Sequence, residues 1–439
     1  MPNLLELNMS LPVVVIVGRP NVGKSTLFNR IIGKGTAIVE DIAGVTRDRN
    51  LQSAEWEGRR FIVVDTGGFY SEADTDIGKQ VREQALFAIE EADIIVHLLD
   101  AESCPLPDDI ELDRLIRESG KTSIKAVNKI DGPKKEPKLY DFFVLGDDIH
   151  PISAKTGYGF EDFMDRVISL IPERPEPSQI EEALPRVSVI GRPNVGKSTL
   201  INTLIGKKRL IVSPIPGTTR DSIDTICTYY GKKYLFIDTA GIRRKARAYP
   251  IERFAMLRTL KSIERSDVCL IVLDSTEGVV TEDQKISGEV LRLQKGAVFV
   301  LNKWDLIPEP EKSYKRLTED IKRKIWFFEH APVLTISAME RTRVTKLFPL
   351  IDKVIGERKK KIPTNELNEL LRSIPPIYSG GSKVRLDYIV QKDIEPPCFL
   401  VFTKKPDALR PEHLRYIERV IRERFSFSGT PIKILKRQK

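Results

Sequence analysis

The ten residues GRPNVGKSTL occupy Gly18–Leu27 and recur unchanged, 173 residues on, at Gly191–Leu200. Each copy directly follows a β-branched run, Val13–Val17 or Val187–Ile190, and opens a helical pattern. A glycine-rich turn between strand and helix is the setting that a phosphate-binding loop requires. Gly18 and Gly23, like Gly191 and Gly196, let backbone N–H groups turn inward on phosphate oxygens. Lys24 and Lys197 then reach the β- and γ-phosphates, Ser25 and Ser198 ligate Mg²⁺, and Thr26 and Thr199 complete the nucleotide-binding set. A period this long means tandem domains, not a solenoid.

Working outward from each loop, short β-branched runs alternate with helical patterns. They are Phe61–Val64, Ile94–Leu99 and Ser123–Val127 in the first copy, and Tyr234–Ile237, Cys269–Leu273 and Val298–Leu301 in the second. These read as buried parallel strands of an α/β, doubly wound sheet, where ligands sit at the carboxyl ends of the strands. The expected division is 1–171 for the first domain, 172–185 for a Pro- and Glu-rich linker (PERPEPSQIEEALP), 186–356 for the second domain and 357–439 for a small third one.

At 439 residues and 41% hydrophobic content the chain can bury about three cores. No apolar run approaches the roughly 18 residues needed to cross a bilayer, and no basic leader precedes Leu11–Val17, so the reading is a cytosolic protein with no membrane partner. Cys104, Cys227, Cys269 and Cys398 are far apart and form no C-x-x-C pair, which reads as reduced, structural cysteine. The formal net charge is +9, and all of it comes from Glu357–Lys439, with 19 Lys and Arg against 10 Asp and Glu. A polyanionic partner would be met there first.

Further motifs follow in the same order in both copies. Asp65-Thr66-Gly67-Gly68 and Asp238-Thr239-Ala240-Gly241 end strands; the Asp is expected to hold Mg²⁺ through water, and Gly68 and Gly241 to present an N–H to the γ-phosphate. Thr46 in GVTRD and Thr219 in GTTRD bring a hydroxyl to Mg²⁺ and the γ-phosphate from a segment that orders only with triphosphate. Asn128-Lys129-Ile130-Asp131 and Asn302-Lys303-Trp304-Asp305 select the base. A carboxylate at Asp131 or Asp305 accepts from both N1–H and the N2 amino group of guanine, whereas adenine offers neither donor there. Ser153-Ala154-Lys155 and Ser337-Ala338-Met339 add a backbone N–H near guanine O6.

Two such motif sets followed by a small basic domain resemble the bacterial double-domain, Era-like GTPase family Der, also called EngA. The likeness covers essentially the whole chain. It implies hydrolysis of GTP to GDP and phosphate, and maturation of the large (50S) ribosomal subunit through GTP-dependent docking on ribosomal RNA. It also implies a cytoplasmic monomer with no DNA partner. Phe69 and Ile242 stand where Ras-like proteins carry a water-orienting Gln. Relatives with a hydrophobic residue there position water by backbone and switch-loop groups, and many use K⁺ bound by a phosphate-loop Asn, the position matched by Asn21 and Asn194, so K⁺ stimulation is implied. The alternative is that each Asn caps its own loop.

The two switch regions differ in charge: the second copy carries Arg243, Arg244, Lys245, Arg247 and Arg253, while the first carries Glu72, Asp74 and Asp76, so they should meet different surfaces. Ala43, opposite Pro216, departs from the family pattern. The third domain reads α-β-β-α-β: a helix over Asn365–Leu371, a half-buried strand through Val384, Leu386, Tyr388 and Val390, and a buried strand at Cys398–Phe402. An amphipathic helix through Leu414, Ile417, Val420 and Ile421 and a last strand at Ile432 and Ile434 complete it. This resembles the KH-like domain of the family, an α+β unit, yet no G-x-x-G loop is present; Gly380-Gly381 and Gly429 stand elsewhere. Arg415, Arg419 and Arg422 lie along one helix, facing RNA or solvent. None of His97, His150, His330 and His413 is assigned a catalytic role, and Trp56 and Trp326 read as packing residues. Two functions remain open: a hydrolytic switch, or an RNA-binding scaffold with one structural nucleotide and one active site.

Overall fold

The computed structural model describes residues 11–34, 51–66, 88–90, 92–171, 184–205, 211–214, 224–239, 252–375, 377–379 and 382–438. Thr46, Gly68, Thr219 and Gly241 lie outside them. So do Ala43, Phe69, Pro216, Ile242, Gly380, Gly381, the switch charges Glu72, Asp74, Asp76, Arg243, Arg244, Lys245 and Arg247, and most of the expected linker. The chain divides into two compact units; the second α/β domain shares one of them with the third domain.

In the first domain β1 (Val13–Val17) is a run of β-branched residues buried on both faces, as a central parallel strand must be. After it come α1 (Lys24–Lys34), β2 (Leu51–Trp56), β3 (Arg59–Asp65), β4 (Ile94–Asp100), α2 (Pro107–Ser119), β5 (Thr122–Asn128), β6 (Ile149–Pro151) and α3 (Phe160–Ser169). The sheet order is β2-β3-β1-β4-β5-β6, with β2 antiparallel and the remaining pairs parallel. Val15 lies opposite Val64 on one side and Ile95 on the other. The chain therefore leaves β1 where the strand order reverses, and the loop at 18–23 sits at that switch point. One face of the sheet packs on Leu27, Phe28, Ile31, Phe160, Phe163 and Val167; the other covers Val13, Val15 and Ile95 with Leu115 and Ile116.

The second domain repeats the plan with β7 (Arg186–Ile190), α4 (Lys197–Ile205), β8 (Ile211–Pro214), β9 (Thr225–Tyr229), β10 (Lys232–Phe236), α5 (Glu252–Arg265), β11 (Val268–Asp274), α6 (Thr281–Arg292), β12 (Gly296–Asn302), α7 (Pro310–Lys324), β13 (Val333–Thr335) and α8 (Leu347–Lys359). Its order, β13-β12-β11-β7-β10-β9-β8, again puts β7 between the two arms of the sheet. Phe348 of α8 anchors the core, stacked on Tyr229 with ring centroids 4.4 Å apart and tilted against Tyr234 at 5.0 Å. Here β10 stops at Phe236, so Asp238 lies beyond the strand where Asp65 is the last residue of its own. The cause is local: Asp238 adopts a left-handed φ of 54° and turns its N–H to Asp224 Oδ1 at 3.0 Å.

The third domain holds α9 (Thr364–Ser373), the hairpin β14 (Ile377–Ser379) and β15 (Ser382–Val384), then β16 (Leu386–Asp393), β17 (Cys398–Thr403), α10 (Pro411–Phe425) and β18 (Lys433–Gln438). Its three-stranded sheet runs β16-β17-β18, antiparallel then parallel. The alternation read from Val384 through Val390 does not hold as one strand. The ladder shifts register between Leu386 and Tyr388, so Ile389 turns inward at 1% exposure and Tyr388 outward at 42%. An extra residue in one strand re-aims every side chain after it.

Two further expectations are corrected. Trp326 is half exposed rather than packed, with the Arg415 guanidinium over its ring at 5.7 Å. Arg422 does not face RNA or solvent: it is held inside by Glu418 at 2.8 Å and by the carbonyls of Phe427 and Thr430 at 2.9 and 3.0 Å. No helix among the described residues is long and apolar enough to cross a membrane.

Gly429, given no role by the sequence, joins the second and third domains. Its carbonyl accepts the Ala297 N–H at 2.7 Å and its N–H donates to the His330 carbonyl at 3.1 Å. At a φ of +71°, a Cβ here would stand 2.6 Å from Val354 and 2.8 Å from the Ala297 oxygen. Gly429→Ala should therefore cost about 1–3 kcal/mol. The expected outcome is a lower urea midpoint for the second and third domains with the first domain's transition unmoved.

Candidate functional site

Each phosphate loop is shaped by what surrounds it. A Cβ on Gly18 would meet the Leu98 carbonyl at 2.3 Å, and one on Gly191 the Val272 carbonyl at 2.5 Å. Only glycine lets the chain pass that close to the neighbouring strand. Inside the first loop the Lys24 ammonium, 4% exposed, donates to the carbonyls of Gly18 and Arg19 at 2.8 and 2.6 Å. Lys197 does the same with Gly191 and Arg192, at 2.7 Å each. Burial pushes the Lys24 pKa down to about 8, against the pull of Asp65 and with a small push from Arg19. Lys197 falls to about 8 for the same reason, opposed by Asp283. Asn21 and Asn194 take left-handed φ values of 66° and 63° at the exposed crest of each loop.

Ser25, the second residue of α1, donates its hydroxyl to Asp65 Oδ2 at 2.6 Å, which brings two hard oxygen donors together beside the loop. Thr26 is exposed on the next step of the helix and Thr199 half-buried in its counterpart. In the second domain the Asp238 carboxylate instead accepts from Ser262 at 3.4 Å, and Ser198 stays exposed at the head of α4. Thr225 and Thr239, both buried, share a hydrogen bond of 2.6 Å beneath it.

The base-recognition turns are tied to these loops by one side chain each. Asn128 donates Nδ2–H to the Val22 carbonyl at 2.8 Å and accepts the Ala154 N–H on Oδ1 at 2.8 Å. Asn302 repeats this with Val195 at 2.8 Å and Ala338 at 3.0 Å. Lys129 reaches Asp100 at 2.6 Å and Lys303 reaches Asp274 at 2.5 Å, so each lysine closes on the end of the adjacent strand. Asp131 accepts from the Ser153 hydroxyl at 2.9 Å and from Lys135 at 2.7 Å, and these two, Lys135 foremost, hold its carboxyl below the usual range. Asp305 stands exposed at the matching turn, while the Ser337 hydroxyl accepts the Glu340 N–H at 3.0 Å.

Sequence reasoning missed the arginine that opens each loop. Arg19 donates Nε–H to both oxygens of Asp109 at 2.8 Å and Nη2–H to Ser103 at 3.0 Å, which fixes the start of the loop to α2. Arg192 leans instead on Glu277 at 2.8 Å and lies 3.8 Å from Asp283, whose pKa burial raises to about 6. The repeat itself carried the signal, because both arginines and both aspartates recur in step.

Fold and site define a chain with two P-loop nucleotide-binding domains of the guanine-selecting type. Family models agree, with a "50S ribosome-binding GTPase" model matching residues 13–129 and 186–303, and a "KH-domain-like of EngA bacterial GTPase enzymes, C-terminal" model matching 361–437. The chain is 49% identical over 445 residues to GTPase Der of Thermodesulfovibrio yellowstonii, covering 97% of this chain and 99% of that one. It is 45% identical over 438 residues to GTPase Der of Desulfitobacterium hafniense, covering 98% and 99%. The chain belongs to the GTPase Der family, binds guanine nucleotide and is a GTPase.

Asn128→Ala cuts the tie to the phosphate loop at Val22 and the tie to the Ser-Ala turn at Ala154, so GDP affinity at the first site should fall about tenfold or more with the second site unchanged in calorimetry. The lysines predict a pH dependence as well. Bound phosphate raises a lysine pKa, and Lys24 and Lys197 start from about 8. GDP affinity should be full below that value and decline as pH rises above it toward the bound-state pKa. Titrations with Lys24→Ala should lose this slope at the first site only.

Proposed function

We propose that this GTPase is a switch in the assembly of the large ribosomal subunit, binding ribosomal particles through the basic third domain when GTP is bound and leaving after hydrolysis. The observation that supports this most is the duplicated closure of base turn on phosphate loop by Asn128 and Asn302, in one chain with a domain that carries the whole of the +9 charge. Intact motifs in both copies favour two turning-over sites over a scaffold with one structural nucleotide. The domain boundaries we adopt are those of the sequence: 1–171, 186–356 and 357–439. The cell cytoplasm, where ribosomes assemble, is the proposed location.

Mg²⁺ fits the first site, because Ser25 Oγ and Asp65 Oδ2 are hard oxygens 2.6 Å apart at the mouth of the loop. There it would be held by Ser25, Thr46 and, through water, Asp65; Ser198, Thr219 and Asp238 take those places in the second domain. Bound there, the ion neutralises charge on the β- and γ-phosphates. Lys24 and Lys197 would stabilise the same charge, and Gly68 and Gly241, outside the described residues, would supply backbone N–H groups to it. Asn21 and Asn194, exposed on the loop crests with left-handed backbones, would carry K⁺ beside the phosphates.

Turnover measured after Lys24→Ala and after Lys197→Ala should fall in each variant to roughly the rate of the remaining site; an unchanged rate in either would favour the scaffold. GTP hydrolysis should be faster in KCl than in NaCl, and equal rates would remove K⁺ from the mechanism. The full chain should co-sediment with large ribosomal subunits in a GTP analogue, less so in GDP, and with a steep salt dependence.

A further inference from the structure

The Ser-Ala turn beside each base-selecting motif presents four consecutive backbone N–H groups, and in both copies three of them have partners inside the protein. In the first copy Ser153 N–H donates to the Tyr158 carbonyl at 2.9 Å, Ala154 N–H to Asn128 Oδ1 at 2.8 Å and Thr156 N–H to the Ser153 hydroxyl at 3.0 Å. In the second, Ser337 N–H donates to the Thr342 carbonyl at 3.2 Å, Ala338 N–H to Asn302 Oδ1 at 3.0 Å and Glu340 N–H to the Ser337 hydroxyl at 3.0 Å. The N–H of Lys155 and that of Met339 find no acceptor among the described residues. Both residues are exposed, so one backbone donor per turn is left for solvent or a ligand. The first turn already touches the base-selecting carboxylate, because the Ser153 hydroxyl donates to Asp131 Oδ1 at 2.9 Å.

That remaining donor is aimed from the helix that opens at the phosphate loop. The Ala154–Lys155 peptide is trans and planar, so the Lys155 N–H points opposite to the Ala154 carbonyl, and fixing one fixes the other. Arg30, the seventh residue of α1, donates Nε–H to the Ala154 carbonyl and Nη2–H to the Lys155 carbonyl, at 2.5 Å each. Thr203, the seventh residue of α4, is buried and donates its hydroxyl to the Ala338 carbonyl at 2.8 Å. Two unlike side chains at one helix position thus hold the same carbonyl. The turn has changed in step with them. Gly157, at a φ of +95°, leaves room for the Arg30 guanidinium, which a Cβ there would approach to 2.8 Å; the copy with the smaller Thr203 carries Arg341 at the matching place.

We propose that Arg30 and Thr203 are positioning residues for recognition of guanine O6. Each locks the peptide after the turn's alanine, so that the N–H of Lys155 or Met339 meets O6 while Asp131 or Asp305 reads N1–H and N2–H. Guanine carries an acceptor, O6, where adenine carries an amino group, so a donor fixed at that point accepts one base and rejects the other. Neither Arg30 nor Thr203 needs to touch the base. Their effect is confined to one edge of it.

The test is calorimetry on the full chain with GDP, inosine diphosphate and 6-thioguanosine diphosphate. Asp305→Ala takes the second site out of range when the first is read, and Asp131→Ala does the reverse. Inosine lacks the N2 amino group and so reports the aspartate; 6-thioguanine keeps N1–H and N2–H but replaces O6 by a poor acceptor. Each site should prefer GDP to the thio analogue by about tenfold. Arg30→Met should shrink that preference to about twofold at the first site by weakening GDP alone, with the preference for GDP over inosine diphosphate unmoved. Thr203→Val should do the same at the second site, and Arg30→Lys, which keeps one donor group, should recover part of the loss. Misfolding lowers the number of sites titrated, not a ratio of affinities. Equal losses for GDP and the thio analogue would reduce both contacts to scaffolding and overturn the proposal. So would unchanged affinities in Arg30→Met and Thr203→Val, or parent sites that bind GDP and the thio analogue alike.

Discussion

Two side-chain amides hold the working parts of this protein in register. Asn128 and Asn302 each sit at the end of a buried parallel strand, donate to a phosphate-loop carbonyl and accept from the backbone of the Ser-Ala turn. Three loops that are far apart in sequence are thereby fixed to one another by one residue, in a place water cannot reach. The constraint propagates into the sequence: a Cβ on Gly23 or Gly196 would stand 2.3 or 2.2 Å from the same amide nitrogen. The last glycine of the loop thus answers to the asparagine as much as to phosphate.

The duplicated halves have not kept the same electrostatics around this common frame. In the first, Arg19 grips Asp109 through both carboxylate oxygens and Ser25 meets Asp65. In the second, Arg192 has turned to Glu277, Asp283 carries a raised pKa, and Asp238 leaves the strand in a left-handed conformation toward Asp224. Identical loop sequences therefore sit on differently strained supports. That is a physical basis for two sites of one chemistry to differ in affinity and timing.

The third domain is bound to the second through backbone and buried cations rather than through an exposed charged face. Arg358, 4% exposed near the end of α8, donates to the Gln294 carbonyl at 2.9 Å and to the Thr430 hydroxyl at 3.5 Å, and the Gly429 carbonyl accepts from the start of β12. Since β12 begins at that contact and ends at Asn302, the domain rests on the same strand that positions the base turn. Arg358 is buried and Arg422 is paired with Glu418, so neither is an open cation on the domain's outer surface.

Much was legible in the chain itself. Val13–Val17 and its partners are continuous apolar runs, which only a strand covered on both faces can use, and the glycines and lysine of each loop have no other economical explanation. The nucleotide class and the tandem plan follow from such local patterns, as does the α-β-β-α-β frame of the third domain without its β14-β15 hairpin. Three things did not. The bulge that faces Tyr388 outward depends on the cross-strand register of β16 with β17. The burial of Arg422 depends on carbonyls that only the folded turn at 427–430 supplies. The use of Gly429 depends on a strand of another domain approaching within a hydrogen bond. Sequence alone determined which groups could bind a nucleotide, because that chemistry is written in short spacings. Tertiary structure decided which polar groups are buried and what satisfies them, because satisfaction of a buried group is a property of neighbours distant along the chain.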